Sequence, residues 1–250
     1  MNNAKSVCVV IPSNRIDSRL LRCIKSVLFQ NYKDIHINVV LNGEINPKKL
    51  AQFEALFQGC SRISIFFLRK ARNANEARNF GKKISVSDYI AYLDADDWWD
   101  PNFLSNVLRT SENVEGDIFY SGMRIHYKNK VVVKFARCHR EHKTILDYLM
   151  SGGVAPTSGL LERRRSTHDL YWDQNLNRHQ DYDYLLRAQL QGFDIKAVEE
   201  LINYDSKNKS GKIPFIGDAL RFTLVNFRSL RFLTFLRHMY KLVKNSIKYL

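Results

Sequence analysis

Apolar positions along this chain fall into short continuous runs that alternate with stripes of helical period. Val7-Cys8-Val9-Val10-Ile11 is an unbroken, largely β-branched run stopped by Pro12, the pattern of a parallel strand buried on both faces. From Asp17 to Gln30, Leu20, Leu21, Ile24, Val27 and Leu28 recur at helical spacing, with Asp17 placed to cap the first turn. Further strands are expected over Ile35 to Leu41, ended by Asn42-Gly43, over Ile63 to Leu68, and over Asp88 to Leu93, which runs into acids. Helices are expected over Pro47 to Phe57, Asn73 to Ser85, and from Pro101, as the first helical residue, to about Ser111. Regular strand–helix alternation predicts an open, mainly parallel α/β sheet, in which ligands bind beyond the carboxyl ends of the strands.

After Gly116 the pattern changes. Ile118 to Tyr127 and Val131 to Phe135 flank Lys128-Asn129-Lys130 and read as a hairpin. Thr144 to Met150 reads as a short helix, Ser151 to Ser158 as a glycine-rich loop, Gly159 to Leu161 as a short strand, and Asp181 to Gln191 as a helix stopped by Gly192. No internal repeat or low-complexity segment interrupts this order.

Charge adds a partner to the picture. The 250 residues carry 39 Lys and Arg against 25 Asp and Glu, a net charge of +14, and the surplus is uneven. From Asp205 to Leu250 ten Lys and Arg face two acids. In this segment Phe232, Leu236, Met239, Val243 and Ile247 form one helical stripe, with Arg237, Lys241, Lys244 and Lys248 on the opposite face. Ile216, Leu220, Leu224 and Phe227 form a second stripe, flanked by Arg221 and Arg228, in a different register. Two helices, or a bend between Asn226 and Phe232, are therefore expected. A basic amphipathic segment of this kind suits an anionic membrane surface, here residues 214–250; the other reading is a helix pair packed on the rest of the chain or on a second subunit of a homodimer. Without a run of about twenty apolar residues, a spanning helix is not expected. Neither a signal peptide nor paired C-x-x-C spacing among Cys8, Cys23, Cys60 and Cys138 is found, so a cytoplasmic protein without a structural zinc site is expected.

The candidate chemistry lies at the end of the fourth strand, where Asp94, Asp96, Asp97 and Asp100 crowd together. Like charges this close need a compensating cation, and a hard divalent ion shared with substrate phosphates meets that need; a solvated acidic turn is the plainer alternative. Around this cluster stand Val9-Val10-Ile11-Pro12-Ser13-Asn14-Arg15, Glu76-Ala77-Arg78-Asn79-Phe80-Gly81, Tyr92-Leu93-Asp94-Ala95-Asp96-Asp97 with Pro101, and Trp172-Asp173 followed by Arg178-His179-Gln180-Asp181-Tyr182-Asp183. In these motifs the chain resembles the inverting family 2 glycosyltransferases of the GT-A fold. These stand in the family's order and cover residues 6–205.

The resemblance implies a Rossmann-like, mostly parallel sheet flanked by helices. Residues 1–205 would form the catalytic domain, with a nucleotide-sugar half (1–115) and an acceptor half (116–205), and residues 206–250 would form the basic helical tail. It implies Pro12, Ser13, Asn14, Asn42, Arg78, Asp94, Ala95 and Asp96 as the nucleotide-sugar site, Asp96 with Asp94 as the site of Mn²⁺ or Mg²⁺, and Asp181 as the general base. The plainer alternative for the last is a helix cap. Asp183 is expected to hold a nearby basic group and Arg187 to pair with an acid. Where the family usually carries an acid that reads the base, this chain has Asn42, so UDP is the expected donor nucleotide only as the family's commonest. The acceptor implied is a glycan, lipid-linked, at the inner face of the cell membrane. Two other readings stay open: a non-catalytic, membrane-associated nucleotide-sugar-binding module, and nucleic-acid binding through the basic tail and hairpin aromatics such as Tyr120, Tyr127 and Phe135. No helix-turn-helix or zinc-finger spacing supports the last, and no nucleic-acid partner is expected.

Overall fold

A computed structural model describes residues 5–206 and 216–247. The first half follows the alternation of the sequence: β1 (Val7–Ser13), α1 (Ser18–Leu28), β2 (Ile35–Asn42), α2 (Pro47–Leu56), β3 (Ile63–Leu68), α3 (Ala74–Lys83), β4 (Tyr89–Tyr92) and α4 (Phe103–Asn113). Successive β1 residues point to opposite faces. Val7, Val9 and Ile11 pack with Leu20, Ile24, Val27, Leu104 and Val107 on one face, and Cys8 and Val10 pack with Tyr92, Tyr120, Tyr184 and Leu185 on the other. Burial on both faces is why the strand reads as continuously apolar. Gly81 of α3 is required by this packing, because a Cβ there would lie 2.5 Å from a methyl of Val10.

The second half comprises β5 (Ile118–His126), β6 (Val131–Lys134), α5 (Ile145–Met150), β7 (Leu160–Arg163), α6 (Gln180–Leu190) and β8 (Ile195–Asp205). The eight strands form one sheet in the order β3-β2-β1-β4-β7-β5-β6, with β8 alongside β5. The β1–β2, β1–β4, β2–β3 and β5–β8 pairs are parallel; β7 is antiparallel to both β4 and β5, and β5 and β6 form the expected hairpin. The strand order runs outward in one direction from β1 to β3 and in the other from β1 to β4. This places a topological switch point between the carboxyl ends of β1 and β4, where β1 ends in Pro12–Ser13 ahead of Asn14 and where Asp94–Asp96 follow β4.

Three local expectations need correction. Pro101 lies in a turn ahead of α4, whose cap position is Asn102, rather than at the first helical residue. The short strand expected at Gly159 begins one residue later and runs to Arg163. β8 is not anticipated at all, although it is 11 residues long and central to the second half.

The basic segment forms α7 (Ile216–Val225) and α8 (Phe232–Ile247), joined by a single 3₁₀ turn at Phe227–Ser229, so the break falls where the two registers change. Both helices dock on α5 and α6. Phe222 and Leu230 pack against Leu146, Met150 and Leu186, Thr144 Oγ1 donates to Ser229 O at 2.7 Å, and the buried Asp147 accepts from Arg231 N at 2.9 Å. The docking faces are not the predicted stripes. Ala219, Phe222, Thr223, Leu230 and Thr234 turn inward, whereas Leu224, Phe227, Phe232, Leu236 and Val243 of the predicted stripes are exposed. The side chains of Ile216 and Ile247, together with Pro214 and Lys248, lie outside the described residues. No helix among the described residues is long and apolar enough to cross a membrane.

Candidate active site

At the switch point, Pro12, Ser13, Asn14, Asn42, Arg78, Asp94, Ala95 and Asp96 line one cleft of about 450 Å³, which gathers the whole predicted nucleotide-sugar set. Local sequence explains the shape. Asp17 caps α1 as expected, accepting from the amides of Arg19 at 3.0 Å and Leu20 at 3.2 Å, and it also holds the Arg19 guanidinium at 2.5 Å. Asn73 caps α3 in the same way, while Glu76 pairs with Arg72 at 2.7 Å rather than with Arg78. The cleft wall therefore carries Arg15, Arg19 and Arg72 beside Arg78, a cationic lining suited to phosphate oxygens.

The four acids after β4 divide into two pairs. Asp97 is buried: its carboxylate accepts from Ser158 Oγ at 2.5 Å and from Asp205 N at 3.1 Å, which ties the acid turn to the loop before β7 and to the end of β8. Asp100 binds Arg124 and accepts from Asn203 Nδ2 at 2.9 Å. Asp94 and Asp96 face the cleft. Repulsion within the cluster is thus relieved largely by protein groups. Beneath it, Arg22 donates to Asp96 O at 2.6 Å, pairs with Asp205 at 2.9 Å, and stacks over Trp98 with its guanidinium 3.9 Å from the ring centroid.

Arg78 joins this cleft to a second one. Its guanidinium, almost wholly buried above Trp172, binds Asp94 Oδ1 at 2.6 Å, Asn75 Oδ1 at 2.7 Å and Gln180 Oε1 at 3.1 Å. Gln180 opens α6, and the residue after it is Asp181. Asp181 lines the second cleft, of about 690 Å³, with Arg78, Asp94, the 153–158 loop, Tyr127, Tyr182 and Tyr204. It sits inside the first turn of α6 and is not the cap, a position taken by His179. Burial raises the Asp181 carboxyl to about 6, against the pull of the Tyr182 amide, which donates to Oδ1 at 3.1 Å, and of the Arg78 charge; the nearby Asp94 charge adds to the rise. A carboxylate with that value suits proton abstraction near neutral pH. Asp183 pairs with Arg187 at 2.8 Å and so serves the helix surface.

α6 is anchored from below by a buried network. Glu162 of β7 accepts from Tyr92 at 2.9 Å and from Tyr184, and pairs with Lys82 at 2.8 Å; Lys82 in turn donates to the carbonyls of Thr167 and Leu170, each at 2.7 Å. Trp172 stacks on Tyr184 with centroids 4.2 Å apart. These contacts join α3, which carries Arg78, and α6, which carries Asp181, to β7 and to β4, whose end leads into Asp94.

The model of glycosyl transferase family 2 matches residues 8–174. The chain belongs to glycosyl transferase family 2. It is 28% identical over 229 residues to the amylovoran biosynthesis glycosyltransferase AmsB of Erwinia amylovora, spanning 88% of this chain and 75% of that one. Its fold is that of S. aureus TarS 1-349, solved in complex with UDP-GlcNAc, at a TM-score of 0.69 and 13% identity over 90% of this chain and 66% of the other. It is also that of the mannosyltransferase PcManGT from Pyrobaculum calidifontis, solved with GDP-Man and Mn²⁺, at a TM-score of 0.64 and 11% identity over 97% of this chain and 65% of the other. The chain spans slightly less than two thirds of each of these two solved chains. A glycosyltransferase domain with a mixed α/β sheet of the GT-A type is thereby shown. The family match ends at residue 174, before α6 and Asp181.

Among the described residues no group of three or more His, Cys, Asp or Glu side chains is placed to hold a metal ion. Asp94 and Asp96 form a two-carboxylate donor set beside an arginine-lined cleft. That set fits Mg²⁺ or Mn²⁺ in the mode that takes one or two carboxylates and draws its other oxygens from substrate phosphates. Sequence reasoning missed Arg19, Arg72, Asn73 and Ser158. The Asn73-x-x-Glu76 spacing carries a capping signal that marks the start of α3, but nothing local to Ser158 reveals that it grips the acid turn.

Proposed function

We propose that this chain is an inverting, metal-dependent glycosyltransferase that moves a sugar from a nucleotide-sugar, foremost a UDP-sugar, to a hydroxyl of a lipid-linked glycan. The carrying observation is the Arg78 bridge: one buried guanidinium binds Asp94 at the first cleft and Gln180, the neighbour of Asp181, at the second, which supports reading the two clefts as one site. In this reading Asp181 takes the acceptor hydroxyl proton as that oxygen bonds to the anomeric carbon. The bond from that carbon to the diphosphate oxygen breaks, and the nucleoside diphosphate leaves. Mn²⁺ or Mg²⁺, held by Asp96 and Asp94, would supply positive charge against the departing diphosphate. Arg78, Arg19 and Arg72 orient the phosphates, and Asn42, buried at the end of β2, presents an amide to the base.

The site of action in this proposal is the inner face of a membrane. α8 divides into three sectors: Thr234, Phe235 and His238 face the protein, Arg237, Lys241 and Lys244 form an exposed basic edge, and Phe232, Leu233, Leu236, Tyr240 and Val243 form an exposed apolar strip between them. An apolar strip edged by cations supports insertion at an anionic lipid surface.

The test is a thermal-shift screen of UDP-glucose, UDP-N-acetylglucosamine and GDP-mannose with and without Mn²⁺. A Mn²⁺-dependent rise in melting temperature with a nucleotide-sugar is expected, since a ligand selective for the native state raises apparent stability. Absence of any shift across the panel would refute the donor assignment.

A further inference from the structure

Among the described residues, His179 is the one non-glycine residue with a left-handed backbone, at φ 57° and ψ 31°. It occupies the cap position of α6, two residues before Asp181, and its side chain makes no capping hydrogen bond. A residue with a Cβ keeps this conformation only when surrounding contacts over-determine it. The contacts come largely from the tail. The His179 ring stacks on Phe222 of α7, with centroids 5.1 Å apart and planes 27° from parallel, and meets His238 of α8 edge-on at 6.3 Å. Tyr182, in the first turn of α6, closes the remaining side at 5.1 Å. Nε2 of His179 and Nε2 of His238 are both buried without a hydrogen-bond partner, so packing, not polar bonding, fixes the rings. Burial, together with the Arg178 charge, lowers the His179 imidazole to about 4, which keeps the ring neutral and able to stack at physiological pH.

From this arrangement we infer that His179 is a positioning residue through which the docked α7–α8 pair holds the first turn of α6, and hence Asp181, in its working orientation. The inference rests on the reading of Asp181 as the base. It gives the tail helices a second role beside the exposed apolar strip of α8: their inner face supports the catalytic helix. If the ring loses its support, the backbone at 179 relaxes toward extended geometry, the chain enters α6 at a different angle, and Asp181 and the Gln180–Arg78 bond shift together.

The experiment compares Phe222→Ala, His179→Val and the double variant Phe222→Ala/His179→Asn with the wild-type chain. Asn accepts left-handed geometry with little strain, whereas β-branched Val does not. Two readouts are used: kcat and donor KM for UDP release from UDP-glucose and UDP-N-acetylglucosamine with Mn²⁺, and deuterium uptake of the peptide covering 176–186. Phe222→Ala and His179→Val are expected to lower kcat at least tenfold with donor KM within twofold, and to speed uptake in that peptide. The double variant, although it has lost more packing than Phe222→Ala, is expected to recover most of kcat and of the protection. A purely structural role would make it worse. If Phe222→Ala does not fold, Phe222→Leu, which fills the space without a ring face, takes its place with the same expected direction. Wild-type kcat and uptake in His179→Val, or a double variant no better than Phe222→Ala, would overturn the inference. Asp181→Asn separates the two claims. Wild-type turnover by that variant removes the base assignment and leaves the coupling to be decided by deuterium uptake; its inactivity alongside an unimpaired Phe222→Ala keeps the base and removes the coupling.

Discussion

Replacing Asp181 by Asn should stabilise the fold while removing activity. The carboxyl sits at about 6 in the folded chain because burial disfavours its charged form. In the unfolded chain it returns to ~3.9. The folded state therefore binds this proton more tightly, and its contribution to stability is complete below pH ~4 and lost as pH rises through 6. A difference of roughly two pKa units corresponds to a ceiling of ~3 kcal/mol. Because Asp181 is partly exposed, solvent screening reduces the expected penalty at neutral pH to ~1–2 kcal/mol. Asn keeps an oxygen to accept from the Tyr182 amide and carries no charge. Urea melts of the two proteins across pH 4 to 8 read the effect: the variant should gain ~1–2 kcal/mol at pH 7.5, or roughly 2–8 °C in Tm, and the gain should shrink toward zero near pH 4. An Asp181→Asn protein that is less stable than wild type at pH 7.5, or whose gain does not vary with pH, would show that the Asp181 charge carries no burial penalty in the fold. The first result would mark Asp181 as a charged helix-end residue and nothing more.

Other outcomes follow from the same contacts. kcat/KM should fall about tenfold per pH unit below 6, as Asp181 takes up its proton, and level off above 7; a profile flat down to pH 5 would remove the base. Lys82→Met leaves Glu162 buried without its cation and should cost ~3–5 kcal/mol by chemical denaturation, whereas a loss under 1 kcal/mol would show the network to be dispensable. Phe232→Ser with Leu233→Ser should abolish sedimentation with phosphatidylglycerol vesicles and leave Tm unchanged, because both side chains are exposed; retained vesicle binding would move the membrane contact elsewhere.

The parts of the fold legible in the sequence are those where burial is simple. β1 is covered on both faces and reads as an unbroken apolar run, β2 keeps the pattern in Val39–Leu41, and α1 shows a clean stripe and a capping Asp17. β8 escaped because its burial does not alternate: Glu199 and Glu200 interrupt it beside the register shift opposite Tyr120 and Gly122 of β5. β7 carries Glu162 into the interior, a placement that makes sense only once Lys82, Tyr92 and Tyr184 are seen around it. In the site, the motifs locate Asp94, Asp96, Arg78 and Asp181 but cannot sort the acids. Asp97 looks like Asp96 in sequence and is instead consumed by Ser158 and Asp205, residues 61 and 108 positions away. The tail shows the same limit in reverse. Its most regular apolar stripe is the exposed one, because the docked face includes Thr223, Thr234 and His238, which no hydrophobic pattern would select.

In the proposed mechanism a donor cleft built on Asp94 and Asp96 works with a base at Asp181 across the Arg78 bridge. The decisive measurement is UDP release, with Mn²⁺, from the nucleotide-sugar that gives a thermal shift, for wild type, Asp96→Ala and Asp181→Asn. Mn²⁺-dependent turnover is expected of the wild type, loss of both donor binding and turnover of Asp96→Ala, and of Asp181→Asn a fall in turnover of about 10²–10⁴ with donor binding retained. Undiminished turnover by either variant would contradict it.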